Sequence, residues 1–347
     1  MMDRMTAATY FTGWWIVRTL PEKSAYKLFA VIADFVFRRN GKSVQRLRKN
    51  LSRTQPHLEP AALENLTQEA MRSYMRYWCD TFRIQSWSKE RILNSVTVSN
   101  GNLLIGRIES GDGVVVALPH SGNWDLAGAY FCALDIPLVT VAERLKPEAL
   151  FQRFLEHRTR MGFEVLALDN RSFATLMKRA REKRLIALVA DRDLSRGGID
   201  VTFFGAPARM PAGPALLAVK TGIPLIVAHV SYTPHGIHID FHDVPVPTVG
   251  SEDERIAKTV QRCAELFEEG IREHPEDWHM LQRIWIDGDF VECGVWRGGN
   301  AIVAAEIFKL YNSNKKVWLF DTFKGMTPPT DNDFYHSNVV FLLPHLL

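Results

Sequence analysis

Cysteine is scarce in this chain and has no pattern. Four of the 347 residues are cysteine, at positions 79, 132, 263 and 293, and no pair has CxxC or metal-ligand spacing. That argues against a disulfide framework and against a cysteine metal site. No secretory signal precedes these residues, so reduced, cytosol-facing thiols are expected. Long hydrophobic runs are missing too. No stretch reaches the roughly 18–20 apolar residues needed to span a bilayer. Tyr10 to Leu20 is apolar, but Arg18 interrupts it and Pro21 ends it, so it can lie on a membrane and not cross one. Internal repeats and low-complexity tracts are absent. Neither charge sign dominates, with 42 Lys/Arg against 39 Asp/Glu and a net charge of +3. His229, His235, His238 and His242 show no ligand spacing and read as scattered surface or core histidines.

What is present is an ordinary globular composition, 46% hydrophobic and 23% charged. The length suits one large α/β domain or two smaller ones. The charge is unevenly spread: residues 1–60 hold eleven Lys/Arg and four Asp/Glu, an excess of seven positive charges, which leaves the rest neutral to slightly acidic. A basic segment rich in Trp and Phe points to an anionic membrane surface before nucleic acid; a solvated helix face is the alternative. Pro21 opens a helix expected to stop at Asn40-Gly41. Ala25, Leu28, Phe29, Ile32 and Val36 define one face of it, while Phe35 and Phe37 fall off that face. With Arg38, Arg39, Lys42, Arg46, Arg48, Lys49 and Arg53 clustered behind it, this is the pattern of an interfacial, monotopic anchor. Packing on the rest of the fold is compatible with the same pattern.

Beyond it, Pro60 to Arg83 reads as a helix with Met71, Tyr74, Met75, Trp78 and Phe82 on a core-facing stripe. Strands are expected over 96–105, 114–118, 137–141, 165–168, 185–190 and 223–230. Helices are expected over 126–134, 148–161, 172–182, 215–221 and 256–274, with Gly162 and Gly222 as C-caps. Alternation of this kind predicts an α/β fold with a largely parallel central sheet flanked by helices.

The stretch Val114-Val-Val-Ala-Leu-Pro-His-Ser-Gly-Asn-Trp-Asp125 organises the rest. Pro119 ends a buried strand, and His120 follows on the strand-to-helix turn, where side chains enter the crevice in which α/β folds bind ligands. Asp125, five residues on, can set the tautomer of the histidine and stabilise its charged form; capping and core polar pairing is the other use of such a couple. Asp191 follows the strand 185–190 in the same way, so two strand ends can bring His120 and Asp191 together at one rim. The segment Arg209-Met-Pro-Ala-Gly-Pro214 introduces a helix whose N-terminus favours negative charge.

Leu118-Pro-His-Ser-Gly-Asn-Trp-Asp125, Asp191-Arg-Asp-Leu, Phe203-Phe-Gly and Arg209-Met-Pro-Ala-Gly-Pro together resemble the bacterial lipid A / phosphatidylinositol mannoside acyltransferase family. Thr140-Val-Ala-Glu-Arg-Leu-Lys-Pro-Glu148, Gly162-Phe-Glu-Val-Leu166 and Asp277-Trp-His-Met-Leu-Gln282 point to its mannoside branch. The match runs from about Gly13 to Trp285. It implies a glycerolipid-acyltransferase-like α/β core over 61–286 behind an N-terminal membrane-associating segment over 1–60. It also implies transfer of a fatty acyl group from acyl-CoA to a mannose hydroxyl of a glycolipid, at the cytoplasmic face of the cell membrane, by a peripheral protein. A lipid A-type reaction on a glucosamine lipid is the alternative. Acyl-CoA is a co-substrate, no cofactor or metal is required, and neither a nucleic-acid partner nor an oligomeric state is implied. His120 would be the general base and Asp191 its orienting acid, as in hydrolase triads; relatives often carry Glu at position 191. Asp125 would share that role or lock the turn. Arg158 matches a basic position near the site and suits a phosphate, with pairing to Glu156 or Glu164 as the alternative. Arg192 and Arg209 are weaker candidates for the same work, and Glu143, Arg144 and Lys146 border the site by motif position.

After Ile286 the sequence changes character. Asp289-Phe-Val-Glu-Cys-Gly-Val-Trp-Arg-Gly-Gly299, a helix over 301–311 and a strand over 316–320 ending in Asp321 resemble the opening βαβ unit of macrocin-type O-methyltransferases. The resemblance implies that Glu292 and Gly294 lie along the methionine part of S-adenosylmethionine and that Asp321 bonds its ribose. Only 61 residues follow Ile286, whereas a doubly wound domain needs on the order of 150. The expectation for 287–347 is therefore an incomplete Rossmann-like fragment with a vestigial cofactor site and no methyl transfer; an S-adenosylmethionine-dependent O-methyltransferase with the long N-terminal region as accessory is the alternative.

Overall fold

A computed structural model describes residues 12–144, 147–169, 171–193, 197–285, 290–293, 299–310, 316–320 and 339–341. The chain divides into two compact units, Met1–Trp285 and Ile286–Leu347. The first unit begins with helices: α1 (12–19), α2 (Glu22–Arg39), α3 (Lys42–Thr54) and α4 (Pro60–Arg83). Asn40 ends α2 in the left-handed conformation, φ 46°, as the Asn-Gly pair predicts. The helix α3 was not expected; the basic cluster it carries hides Val44, Leu47 and Leu51, which are fully buried. These three pack with Ala33 of α2 and Ala70 and Met71 of α4.

The expected face of α2 is corrected by the structure. Ala25, Phe29 and Ala33 are buried, whereas Leu28 and Ile32 are exposed together with Val31 and Phe35. Small residues at 25 and 33 let the helix approach α4 closely, which turns the larger apolar side chains outward.

The α/β body then runs α5 (Lys89–Asn94), β1 (Val96–Ser99), α6 (Ile105–Glu109), β2 (Val114–Leu118), α7 (Trp124–Ala133), β3 (Leu138–Ala142), α8 (Glu148–Arg160), β4 (Glu164–Ala167), α9 (Ser172–Arg181) and β5 (Leu185–Val189). It continues with β6 (Ile199–Phe203), β7 (Ala206–Met210), α10 (Gly213–Thr221), β8 (Leu225–Thr233), β9 (Gly236–Asp243) and α11 (Glu252–Glu273). Seven strands form one sheet in the order β1-β9-β8-β2-β5-β3-β4. The five from β8 to β4 are mutually parallel, and β9, antiparallel to β8, carries β1 at the edge. The strand expected over 96–105 stops at Ser99, because Asn100 takes φ 54° and the chain turns helical. The strand β9 and the hairpin β6-β7, whose turn is Phe204-Gly205, went unread: polar residues alternate through both, and neither is a buried run.

Alternation along β2 divides the core. Val115 and Ala117 join Ile186, Leu188 and Val227 beneath α9, α10 and α11. Val114, Val116 and Leu118 join Ala228, Val230 and Phe131 beneath α7. Both faces of a parallel strand are covered, so β2 reads as a continuous apolar run.

Among the described residues of the second unit, β10 (Phe290–Cys293), β11 (Val317–Phe320) and β12 (Val339–Phe341) form a parallel sheet, with the helix α12 (Gly299–Leu310) between the first two in sequence. Ala301, Ala304, Ala305, Val317 and Leu319 make its small core.

Candidate active site

Register places the two key side chains. β2 and β5 are adjacent and parallel, with Leu118 opposite Val189, and Ala190 N–H donates to the Leu118 carbonyl at 2.8 Å. His120 and Asp191 each lie two residues past their strand ends, so they emerge side by side. His120 Nδ1 lies 2.6 Å from Asp191 Oδ1, and the backbone N–H of His120 donates to Oδ2 at 3.0 Å. The shorter acid at 191 therefore reaches the ring without help. Against an ionised carboxylate, Nδ1 must carry the proton, which leaves Nε2 as a free basic lone pair. The His120 side chain is 37% exposed and Asp191 fully buried. Burial alone would raise the Asp191 pKa, but the His120 charge and the N–H donors outweigh it and hold the carboxyl below its ordinary value. Asp191 is thus an anion at neutral pH, aimed at the imidazole.

A distant segment clamps this turn. Gly122 N–H donates to the Asp277 carbonyl at 2.9 Å, and His279 N–H to the His120 carbonyl at 2.8 Å. Ser121 and Trp278 form an antiparallel bridge between these bonds. The indole N–H of Trp278 reaches Asp191 Oδ2 at 2.9 Å. Gly122 has φ +55°, and a Cβ there would sit 2.5 Å from the Val230 carbonyl oxygen, so only glycine fits. The clamp is itself anchored: Asp277 accepts from Ser73 Oγ at 2.5 Å and from Tyr232 N–H at 2.6 Å. Ser73 Oγ also lies 2.9 Å from His279 Nε2. Burial, with the His120 charge, pushes the His279 pKa down to about 3, so this second ring is neutral.

Asp125 does not join His120. It lies in the first turn of α7, where Asn123 caps the helix by accepting from Leu126 N–H at 2.9 Å. Its carboxylate takes Arg158 Nε at 2.8 Å, Arg158 Nη2 at 3.3 Å and Tyr77 Oη at 3.0 Å. Burial opposes its charge, but the Arg158 guanidinium prevails and keeps its pKa low. Arg158 is bound to Asp125 rather than to Glu156 or Glu164. This pair lines a largely apolar cavity between α7 and the sheet. The cavity is lined by Val116, Leu118, Trp124, Gly128, Phe131 and Ala187 among others. Trp124 also meets the His120 ring edge-on, with centroids 5.6 Å apart, so the cavity adjoins the dyad.

The remaining sequence candidates scatter. Glu143 and Arg144 are exposed, and Arg144 pairs loosely with Glu148 at 3.8 Å. Arg209 pairs with Asp200 across the β6-β7 hairpin at 3.1 Å and donates to the Gly198 carbonyl. Arg192, half-buried next to Asp191, has no ion-pair partner among the described residues. Lys146 lies outside the described residues, as do Gly294 and Asp321 of the tail; Glu292 is on β10 of the second unit. The residues that sequence reasoning missed are Trp278, Tyr77 and Trp124. The motif Asp277-Trp-His-Met-Leu-Gln282 was the available signal for the first. Tyr77 sits off the stripe read along α4, stacked on Trp124 at 4.2 Å.

The family profile of the bacterial lipid A biosynthesis acyltransferases matches residues 1–286, and that of the macrocin O-methyltransferases matches residues 277–340. A phosphatidylinositol mannoside acyltransferase of Mycobacterium tuberculosis is 39% identical over 282 residues, covering 80% of this chain and 87% of that protein. Its namesake from Mycolicibacterium smegmatis is 38% identical over 286 residues, covering 82% and 92%. A stretch of 49 residues, 14% of this chain, is 45% identical to the mycinamicin III 3''-O-methyltransferase of Micromonospora griseorubida and covers 19% of that protein.

Proposed function

Because the chain belongs to the bacterial lipid A biosynthesis acyltransferase family, we propose that it transfers a fatty acyl group from acyl-CoA to a mannose hydroxyl of a phosphatidylinositol mannoside. The observation that carries this reading is the His120–Asp191 pair, whose imidazole meets Trp124 in the wall of an apolar cavity. His120 Nε2 takes the proton of the sugar hydroxyl as that oxygen attacks the thioester carbonyl. A C–O bond forms and the C–S bond breaks. The proton on the imidazolium then passes to the departing thiolate, so the base is regenerated. Asp191 holds the Nδ1–H tautomer and offsets the charge on the ring during transfer.

The cavity suits the acyl chain in character: its walls are apolar apart from Thr140 and the Asp125–Arg158 pair. The same reading makes the protein a peripheral one acting at the cytoplasmic membrane face. Val31 (65% exposed), Phe35 (57%), Leu28 and Ile32 form a bare apolar stripe on α2, Trp15 is bare on α1, and Lys27, Arg38, Arg39 and Lys42 flank them. Among the described residues no helix is long and apolar enough to cross a membrane. The reading rests on residues 1–286 and takes nothing from the tail.

The test is to incubate the full chain in anionic vesicles with labelled palmitoyl-CoA and a phosphatidylinositol mannoside, beside a lipid A precursor as competing acceptor. Labelled mannoside from wild type and none from His120→Ala is expected. Label on the glucosamine lipid would transfer the reading to the lipid A branch. Undiminished activity in folded His120→Ala would remove His120 as base.

A further inference from the structure

Asp191 holds its charge with no exposure to water, so every lone pair it presents must find a donor inside the protein. Oδ1 faces His120 Nδ1 at 2.6 Å. Oδ2 takes two N–H groups, one from the His120 backbone at 3.0 Å and one from the indole of Trp278 at 2.9 Å. The first of these lies on the same turn as the imidazole it serves. The second comes from 87 residues further along the chain, on the segment that also bridges Ser121 and takes the Gly122 N–H. Trp278 has no exposed surface and stands among Phe203, Phe204 and Trp285, with ring centroids 6.0–6.3 Å away. Its ring cannot turn without displacing these neighbours, so its N–H is aimed at a fixed point.

We propose that Trp278 is a positioning residue for the proposed acyl transfer. Its indole N–H fixes the plane of the Asp191 carboxylate, so that Oδ1 meets Nδ1 and Nε2 is left as the base. The inference rests on the His120–Asp191 reading and adds to it a donor that neither reacting group's neighbourhood in sequence discloses. Two consequences separate this role from simple packing. Trp278 acts through Asp191 and touches no substrate, so its loss lowers kcat and leaves KM for acyl-CoA near its original value. Removal of a donor to the anion favours the protonated form of the dyad, whichever member carries the proton. The acid limb of the kcat/KM profile therefore moves to higher pH.

The experiment replaces Trp278 in the full chain in two ways. Trp278→Phe removes the N–H together with part of the ring. Incorporation of 3-benzothienylalanine at 278 exchanges the N–H for sulfur and keeps the two-ring shape. His120→Ala runs alongside, and each protein's fold is checked by its thermal transition. The expected result is a 10- to 100-fold fall in kcat for the benzothienyl protein, the loss appropriate to one hydrogen bond to a charged group. An unchanged KM and an acid limb displaced upward by about half a unit or more accompany it. Trp278→Phe falls at least as far. Wild-type kcat and pH profile in the benzothienyl protein, with His120→Ala inactive, would overturn the proposal and leave Trp278 a packing residue. Full activity in His120→Ala would instead refute the dyad on which it stands.

Discussion

The Asp125–Arg158 pair sets up the most demanding prediction for this fold. The carboxylate is 2% and the guanidinium 18% exposed, joined by contacts of 2.8 and 3.3 Å. At about 3–4 Å and an effective dielectric near 20, the attraction is about 4–5 kcal/mol. Much of it offsets desolvation, so the pair as a whole is nearly neutral to stability, while removal of one partner costs about 3–5 kcal/mol. Asp125→Asn keeps an oxygen for Arg158 and Tyr77 but leaves the guanidinium unpaired. A loss of about 3 kcal/mol is expected at neutral pH, with a similar loss for Arg158→Met and less than the sum for the double variant Asp125→Leu/Arg158→Leu.

The assay is urea unfolding followed by tryptophan fluorescence. Because the folded Asp125 carboxyl titrates below its ordinary 3.8, its contribution is present above that value and is lost as pH falls through the folded pKa. The gap between wild type and Asp125→Asn should be constant above about pH 5 and close below about pH 4. Because Asp125 is bound to Arg158 and not to His120, folded Asp125→Asn should also leave the acid limb of activity in place. Losses below about 1 kcal/mol in both single variants, or a double variant as unstable as the two losses added, would refute the reasoning.

Two further predictions concern other parts of the molecule. Val31→Glu/Phe35→Glu alters only exposed side chains, so solution stability should move by less than about 0.5 kcal/mol, while sedimentation with anionic vesicles falls at least about tenfold; unchanged vesicle binding would exclude α2 as the docking face. Gly122→Ala forces a Cβ against the Val230 carbonyl at positive φ, so a loss of at least about 2 kcal/mol is expected, with activity falling because the His120 turn shifts; a variant as stable and active as wild type would show that the turn has room.

The parts legible in the sequence were those in which chain-local chemistry decides the outcome. The buried run 114–118, closed by Pro119, dictates a strand end, and the run 185–190 dictates another. A parallel sheet with His120 and Asp191 at the same rim follows once the two are neighbours. Periodicity likewise marked α2, and Asn40 its stop. Periodicity cannot say which apolar positions a neighbour will cover, and the approach of α4 to Ala25, Phe29 and Ala33 left Leu28 and Ile32 bare. Proximity in sequence suggested Asp125 as a companion of His120. The geometry of α7 sends it to Arg158 on α8, because a buried carboxylate settles where a full charge can compensate it. The motif at 277–282 singles out Trp278, but nothing local to it says that its indole donates to Asp191. That bond depends on closure of a chain segment 87 residues away, and only the assembled sheet and its clamp bring those two groups within hydrogen-bond distance.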